Sequence, residues 1–189
     1  MAGVLMLAGC GSNDTSSDSA IADVSTTSRA VATTTAAPTL ATVGQQVRNG
    51  GLAITVNSVT AAHDISYTKE TYRNVYETKT ARNGGQFIIV STKVENVGSK
   101  SLDLTCGYAV ANLLADESKR QFDTIDSLYR VEGNPECNDN LQPGFSADMK
   151  YVYEIPSSAR PMFFGFYDPS TQSAKQVKFI DTGSVPPPA

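Results

Sequence analysis

The stretch Gln86-Phe-Ile-Ile-Val-Ser-Thr-Lys-Val-Glu-Asn96 decides the fold class of this chain. One face of it carries apolar or β-branched side chains at every second position: Ile88, Val90, Thr92 and Val94. A repeat of two residues is the period of an extended strand with one face buried. Phe87 and Ile89 fall on the opposite face, which predicts that the first half of the strand is buried on both sides.

Turn signals and further short strands extend this pattern in both directions. Asn83-Gly84-Gly85 precedes the stretch and Val97-Gly98 follows it, and these residue types favour tight turns. Further strand candidates lie at residues 52–56, 102–106, 108–114, 121–125, 145–155, 162–167 and 176–180. No long stretch keeps a helical period of 3.6. Seven to nine strands separated by turns predict an all-β antiparallel sandwich over residues 41–182.

The N-terminal residues Leu7-Ala8-Gly9-Cys10 resemble the lipobox of bacterial lipoproteins. This resemblance implies that residues 1–9 are a signal peptide and that Cys10 receives a diacylglyceryl group, palmitate being a typical chain. No Lys or Arg occurs before Arg29, so the basic start of a signal peptide is missing and we expect it to be truncated. The alternative is a chance cysteine in the apolar N-terminus of a cytosolic protein.

Residues 10–40 are predicted to be a disordered tether. Positions 11–40 contain 13 Ser or Thr residues and few large apolar ones, so they cannot bury enough surface to offset ordering. As a flexible coil they would span about 30 Å. The tether is either a bare linker or an O-glycosylated stalk.

The proline-rich residues 183–189 are predicted to be a disordered tail. The implied location is the cell membrane, lipid-anchored and facing the extracytoplasmic side.

The sequence argues against a nucleic-acid partner and against a membrane-spanning helix. The 189-residue chain has a formal net charge of −4, and its basic residues form no cluster that would neutralise nucleic-acid phosphates, so we expect no nucleic-acid partner. The apolar run at residues 4–8 is far shorter than the roughly 20 residues of a spanning helix. Membrane attachment is therefore expected to come from the lipid on Cys10.

A family resemblance appears across residues 41–168. It rests on these strand and turn motifs: Thr42-Val43-Gly44-Gln45, Gly51-Leu-Ala-Ile-Thr-Val-Asn-Ser-Val59, Gly85-Gln-Phe-Ile-Ile-Val-Ser-Thr-Lys-Val-Glu-Asn-Val-Gly98, Leu141-Gln-Pro-Gly144 and Tyr153-Glu-Ile-Pro156. They resemble a bacterial extracytoplasmic family of unknown function, found on Gram-positive and actinobacterial lipoproteins and similar to a small secreted immunogenic protein of mycobacteria. The resemblance implies an immunoglobulin-like sandwich and supplies no catalytic residues.

Cys106 and Cys137 form an even pair once Cys10 is set aside. In an oxidising compartment we expect a structural disulfide between them. A redox pair usually needs the Cys-x-x-Cys spacing, and a zinc site needs two further ligands.

No catalytic constellation stands out, so we expect neither an enzyme nor a cofactor. His63 is the only histidine, and no Gly-x-Ser-x-Gly motif accompanies it. Asp123 and Asp126 are predicted to be solvated, because positions i and i+3 of a strand face opposite sides. Oxygen ligands for Ca²⁺ lie at near-alternate positions in one loop: Asn134, Glu136, Asn138 and Asn140. They lack the pattern of a calcium loop, so no metal site is expected.

The candidate binding residues are Tyr67, Tyr72, Arg73 and Tyr76, in a polar insertion. Tyrosine and arginine are favoured at recognition surfaces, and their spacing predicts a hairpin or ordered loop. The alternative is that these tyrosines cover an edge of the sandwich.

We expect a lipid-anchored, non-catalytic module that binds a protein or envelope component. Two alternatives stay open: a structural, antigenic envelope lipoprotein, or a phage- or prophage-encoded lipoprotein that interferes with superinfection.

Overall fold

The structure, a computed structural model, describes residues 40–69, 75–171 and 176–188. Thirteen β-strands and one 3₁₀ turn, Leu128–Arg130, lie in these ranges, where no helix is long and apolar enough to cross a membrane. The strands are β1 (Ala41–Thr42), β2 (Gln46–Asn49), β3 (Leu52–Ala62), β4 (Asp64–Thr68), β5 (Tyr76–Thr80), β6 (Gly85–Asn96), β7 (Leu102–Asp103), β8 (Ala111–Asp116), β9 (Gln121–Phe122), β10 (Asn140–Leu141), β11 (Ser146–Pro156), β12 (Pro161–Tyr167) and β13 (Lys178–Asp181). The predicted lipobox, Cys10 and the tether up to residue 39 lie outside the described residues.

Strand β6 is central to the first sheet, as its alternating sequence predicts. It pairs antiparallel with β3 on one side and β11 on the other, in the order β11-β6-β3-β2. Every residue of the predicted inward face is buried: Ile88, Val90, Thr92 and Val94. Phe87 is buried from the opposite face, but Ile89 is only half-buried. Burial on both sides is therefore confined to the start of the strand.

The second sheet has the order β1-β13-β12-β8-β9 and packs against the first. Its fully buried residues Leu114, Phe164 and Ile180 join one apolar core with β3, β6 and β11. The rings of Tyr151 on β11 and Phe164 on β12 meet across the core with centroids 5.4 Å apart. Burial of these large side chains is the main stabilising contribution.

The architecture is an immunoglobulin-like, all-β sandwich, as predicted. Among the described residues, nine strands have four or more residues, which agrees with the predicted seven to nine, and four strands have only two. The pairing is antiparallel except between β1 and β13, which run parallel. Strands β4 and β5 form a separate hairpin, and β7 pairs with β10.

The bounds of several predicted strands differ in the structure, and three of these differences have a visible local cause. The strand predicted at residues 102–106 ends at Asp103, because the Asp103 carboxylate accepts the N–H groups of Thr105 and Cys106 and turns the chain. The strand predicted from residue 108 begins only at residue 111, after Tyr108 adopts a left-handed φ of 50°. The strand predicted at residues 121–125 ends at residue 122, beyond which Ile125 donates its N–H to the Val152 carbonyl of the first sheet.

Asn96 explains why the stretch Glu95-Asn-Val-Gly98 ends a strand. Its side chain is fully buried, and its amide donates to the carbonyls of Lys100 at 2.7 Å and Leu141 at 2.9 Å. Its side-chain oxygen, Oδ1, accepts the N–H of Gly98 at 3.1 Å. One side chain thus satisfies the polar groups of two chain segments, as buried amides must.

The C-terminal tail differs from its prediction at Val185. This residue is buried and belongs to the apolar core, whereas residues 183–189 were expected to be a disordered tail. The proline-rich composition obscured one apolar residue whose burial fixes the segment to the sandwich. Residues 182–188 still contain no regular secondary structure.

Candidate functional site

The predicted disulfide between Cys106 and Cys137 is present, with an S–S distance of 2.04 Å and Cα atoms 5.3 Å apart. It connects the segment that follows β7 to the loop before β10. Asp103 supports the same junction, because its carboxylate accepts N–H groups from Thr105, Cys106 and Asn138 at 2.9–3.1 Å. Burial would raise the pKa of Asp103, but these hydrogen bonds outweigh it and hold the pKa below its ordinary value.

The predicted tyrosine cluster lies only partly within the described residues. Tyr67 is on β4 and Tyr76 on β5, and these strands pair antiparallel, so the expected hairpin is present. Tyr72 and Arg73 lie outside the described residues. Tyr76 is 40% exposed, but Tyr67 is only 5% exposed. The prediction that Tyr67 belongs to a binding surface is therefore wrong, because its ring is covered by its neighbours.

Tyr67 instead attaches the hairpin to the 3₁₀ turn. Its hydroxyl donates to the Asp126 carbonyl at 2.9 Å, and the Arg130 guanidinium lies 4.3 Å from its ring centroid. Arg130 Nε also donates to the Thr68 carbonyl at 2.8 Å. The Lys79 ammonium lies 4.6 Å from the same ring, and a desolvated contact of this kind stabilises by up to about 2 kcal/mol. Burial raises the pKa of Tyr67, with Arg130 partly opposing that rise.

A groove of about 500 Å³ opens beside the disulfide, between residues 104–112 and residues 124–129. Its volume falls within the range of small-ligand sites, roughly 300–1,000 Å³. Strand β8 begins on one wall, and the 3₁₀ turn held by Tyr67 forms part of the other. Its lining residues are Leu104, Thr105, Cys106, Tyr108, Val110, Asn112, Thr124, Ile125, Asp126, Ser127, Leu128, Tyr129 and Tyr151.

Two exposed tyrosines line this groove. Tyr108 is 81% exposed and Tyr129 is also exposed. Tyr108 has a φ of 50° and Ser127, on the facing wall, has a φ of 57°. A non-glycine residue in this left-handed region costs on the order of 1–3 kcal/mol and often marks a functional site. Little of that cost is recovered by burying Tyr108, whose ring is mostly in solvent.

Tyr151 of β11 also lines the groove and is almost fully buried, at 1% exposure. Its hydroxyl has no hydrogen-bond partner among the described residues. Tyr153, two residues further along the same strand face, donates its hydroxyl to Asn112 Oδ1 at 2.6 Å. A buried hydroxyl without a partner costs about 1–3 kcal/mol, so it calls for a partner from outside the chain.

The family described as a domain of unknown function, DUF4352, matches residues 41–177, which is more than half of the chain. The chain belongs to the DUF4352 family. The resemblance of the sequence motifs to a family of unknown function is thereby confirmed, and the likeness to a small mycobacterial protein stays a prediction. No curated protein matches the chain.

Solved structures share the sandwich of this DUF4352 chain at low identity. A conserved hypothetical protein from Bacillus anthracis is 17% identical, with 67% of this chain and 89% of that one covered and a TM-score of 0.50. An uncharacterized β-sandwich protein from Clostridium difficile is 14% identical, with coverages of 75% and 91% and a TM-score of 0.50. These similarities show the fold alone. A candidate lipoprotein from Bacillus subtilis, 11% identical over 72% of this chain and 38% of its own at a TM-score of 0.47, is too distant to bear on attachment.

The other residues weighed for chemistry lie apart from the groove or already have partners. His63 is exposed in the bend after β3, and Asp123 is exposed beyond β9. Asn134, a candidate Ca²⁺ ligand, accepts the Lys150 N–H at 2.7 Å with its side-chain oxygen. Among the described residues, Asp103 lies with Cys106 and Cys137 in the one group with metal-ligating geometry, but both sulfurs are joined in the disulfide.

The groove of this DUF4352 domain was not visible in the sequence. Tyr108, Tyr129 and Tyr151 lie on three separate segments, which only the tertiary structure brings to one cavity. The alternation of β11 indicates that Tyr151 is buried, but it does not reveal that its hydroxyl lacks a partner.

Proposed function

We propose that this chain is a lipid-anchored, non-catalytic binding module that works on the extracytoplasmic side of the cell membrane. The groove beside the Cys106–Cys137 disulfide would hold a segment of a protein or envelope component. The observation that carries the proposal is Tyr151, which lines the groove and whose buried hydroxyl has no partner among the described residues. Its satisfaction by a ligand fits the general design of pockets with apolar walls and a few polar groups.

The groove composition favours binding over catalysis. Its thirteen lining residues include one carboxylate, Asp126, and no histidine, lysine or arginine. Cys106 is bonded to Cys137 and offers no thiol. A hydrolytic or transfer site needs a nucleophile beside a base, and no such pair converges on this groove.

Membrane attachment is proposed from the sequence alone. A diacylglyceryl group on Cys10 supplies two acyl chains, which anchor a protein stably where one chain binds only reversibly. The tether of residues 10–40 would then keep the sandwich about 30 Å from the lipid surface. The extracytoplasmic side is also oxidising, which agrees with the disulfide.

The binding proposal is tested by cross-linking the full chain to its partners in living cells. Tyr108→Ser removes an exposed ring from the groove, and Tyr76→Ser removes a less exposed ring from the hairpin as a matched control. We expect Tyr108→Ser to lose specific cross-linked products and Tyr76→Ser to keep them. Products that are unchanged in Tyr108→Ser would rule out the groove as the binding site. If the wild-type chain gives no specific product, it is an envelope domain without a dedicated partner.

The anchor is tested by Cys10→Ser, with Ser12→Ala as the control. Mass spectrometry should find a diacylglyceryl mass on the Cys10 peptide of the wild-type chain and of Ser12→Ala. Cys10→Ser should leave the membrane fraction and appear in the medium. If Cys10→Ser stays with the membrane, attachment through a lipid on this residue is wrong.

A further inference from the structure

We infer that the groove ligand is a neutral saccharide, and this inference rests on the proposed binding function. Several polar groups of the groove-lining residues have no hydrogen bond within the described residues, among them the Tyr151 hydroxyl, the Thr124 hydroxyl and the Asp126 carboxylate. The first two both donate and accept, and the third only accepts. Sugar hydroxyls likewise donate and accept, so a saccharide satisfies all three.

Two other polar side chains of the groove, Thr105 and Asn112, already have partners inside the chain. The Thr105 hydroxyl bonds to Asp103 and to the Glu136 carbonyl, both at 3.3 Å. The Asn112 side chain accepts from Tyr153 and donates to the Val110 carbonyl. Among the groups left available to a ligand, the Tyr151 hydroxyl is the one buried within the core.

The charge of the groove disfavours an anionic ligand. None of its lining residues carries a positive charge. Arg130, the nearest cation in sequence to the lining residues 124–129, donates to Thr68 and lies against Tyr67 instead. A phosphate or carboxylate would therefore lose its hydration without gaining a charged donor.

The exposed rings explain why a sugar fits better than a flexible polyol. Tyr108 and Tyr129 present aromatic surface to solvent at the groove. A pyranose ring has one apolar C–H face, which packs against such a ring, while its hydroxyls reach the polar groups below. Tyrosine is suited to this role, since it offers large rigid area with few rotatable bonds. Tyr108 combines a left-handed φ of 50° with an exposure of 81%.

The test uses the full chain with Cys10→Ser, so that it remains in solution. Neutral oligosaccharides of glucose, mannose, galactose and N-acetylglucosamine are titrated by calorimetry, beside spermidine as a cationic probe and hexaglutamate as an anionic one. We expect one neutral saccharide to bind with an affinity that does not change with ionic strength. Tyr151→Phe should weaken this binding about two- to tenfold, as expected for the loss of one hydrogen bond. Tyr108→Ser should weaken it further, and Phe145→Ser, which removes an exposed ring outside the groove, should leave it unchanged.

Other outcomes overturn the inference and separate it from the proposed function. Salt-sensitive binding of spermidine that is lost in Asp126→Asn identifies a cationic ligand. A structure with only water at the Tyr151 hydroxyl in saturating saccharide, or no binding by any saccharide, also excludes the inference. If cellular cross-links still depend on Tyr108 in that case, the binding module stands and only its ligand class is wrong. If those cross-links are absent too, both fail.

Discussion

Tyr151 and Tyr153 point from β11 into the same core, yet only Tyr153 has a hydrogen-bond partner for its hydroxyl. Tyr153 donates to Asn112 Oδ1 at 2.6 Å, whereas Tyr151 has no partner among the described residues. Burial raises the pKa of both phenols, so both stay neutral at physiological pH. The two side chains share their chemistry, their strand and their burial, but only one hydroxyl has a hydrogen-bond partner.

This difference predicts opposite effects on stability when each hydroxyl is removed. Tyr153→Phe deletes a made hydrogen bond and leaves Asn112 short of a donor, so it should lower the free energy of unfolding by about 0.5–1.5 kcal/mol. Tyr151→Phe removes a buried group without a partner, so the free energy of unfolding should stay the same or rise. Urea denaturation of the full chain measures both. An equal loss in the two variants would mean that Tyr151 is satisfied in the folded chain, and the groove would lose its main support.

The fold was predictable from sequence because strand periodicity is a local property. The alternation around Ile88 and Val94 identifies the central strand, and turn residues such as Gly144 identify the strand ends. The predicted strand bounds are wrong where a side-chain hydrogen bond ends a strand that the alternating pattern would continue. Asp103 ends β7 early by accepting backbone N–H groups, and no periodicity reports such a bond.

The candidate site was predictable only in part. The pairing of Cys106 with Cys137 follows from counting cysteines and is present in the structure. Composition favoured the hairpin tyrosines, but Tyr67 is buried against Arg130, since tyrosine serves cores as readily as surfaces. The groove depends on contacts between distant segments and on one unsatisfied atom, neither of which a sequence pattern encodes.

The carboxylate of Asp103 predicts a loss of stability in acid. Its pKa is lower in the folded chain than its ordinary value of 3.8, because backbone N–H groups hold the charged form. Its contribution is therefore complete above the unfolded pKa and is lost as the pH falls through the lower, folded pKa. Asp103→Asn should be less stable than the wild type at pH 7, and this difference should be smaller at pH 2. Asp148→Asn, an exposed control on β11, should differ little from the wild type at either pH.

An equal effect of Asp103→Asn at both pH values would contradict this account. It would mean that the negative charge of the Asp103 carboxylate does not contribute to the free energy of unfolding. Thermal unfolding at several pH values between these limits would locate the transition and show the direction of the pKa shift.

Removing the disulfide should destabilise the chain and loosen the groove. The bridge spans 31 positions, for which the loop-entropy model gives about 3–4 kcal/mol. Cys106→Ala/Cys137→Ala should lose an amount of this order in urea denaturation, and its groove should bind ligand more weakly because residues 104–110 are less constrained. In a Cys10→Ser background, a thiol reagent should find no free thiol in the oxidised chain. Reaction with two equivalents before reduction would contradict the bridge.

Gly50 and Gly84 form a matched pair that separates backbone strain from crowding. Both have a positive φ, 59° and 76°, but a Cβ on Gly84 meets nothing within 4 Å, whereas one on Gly50 collides with Asp168 and Thr171. Gly84→Ala should therefore cost only the left-handed strain, about 1–2 kcal/mol. Gly50→Ala should cost clearly more, because it also displaces the Asp168 carboxylate that accepts the Gly51 N–H at 2.7 Å. Equal losses in urea denaturation would show that Asp168 shifts freely and that its bond to Gly51 does not fix the turn between β2 and β3.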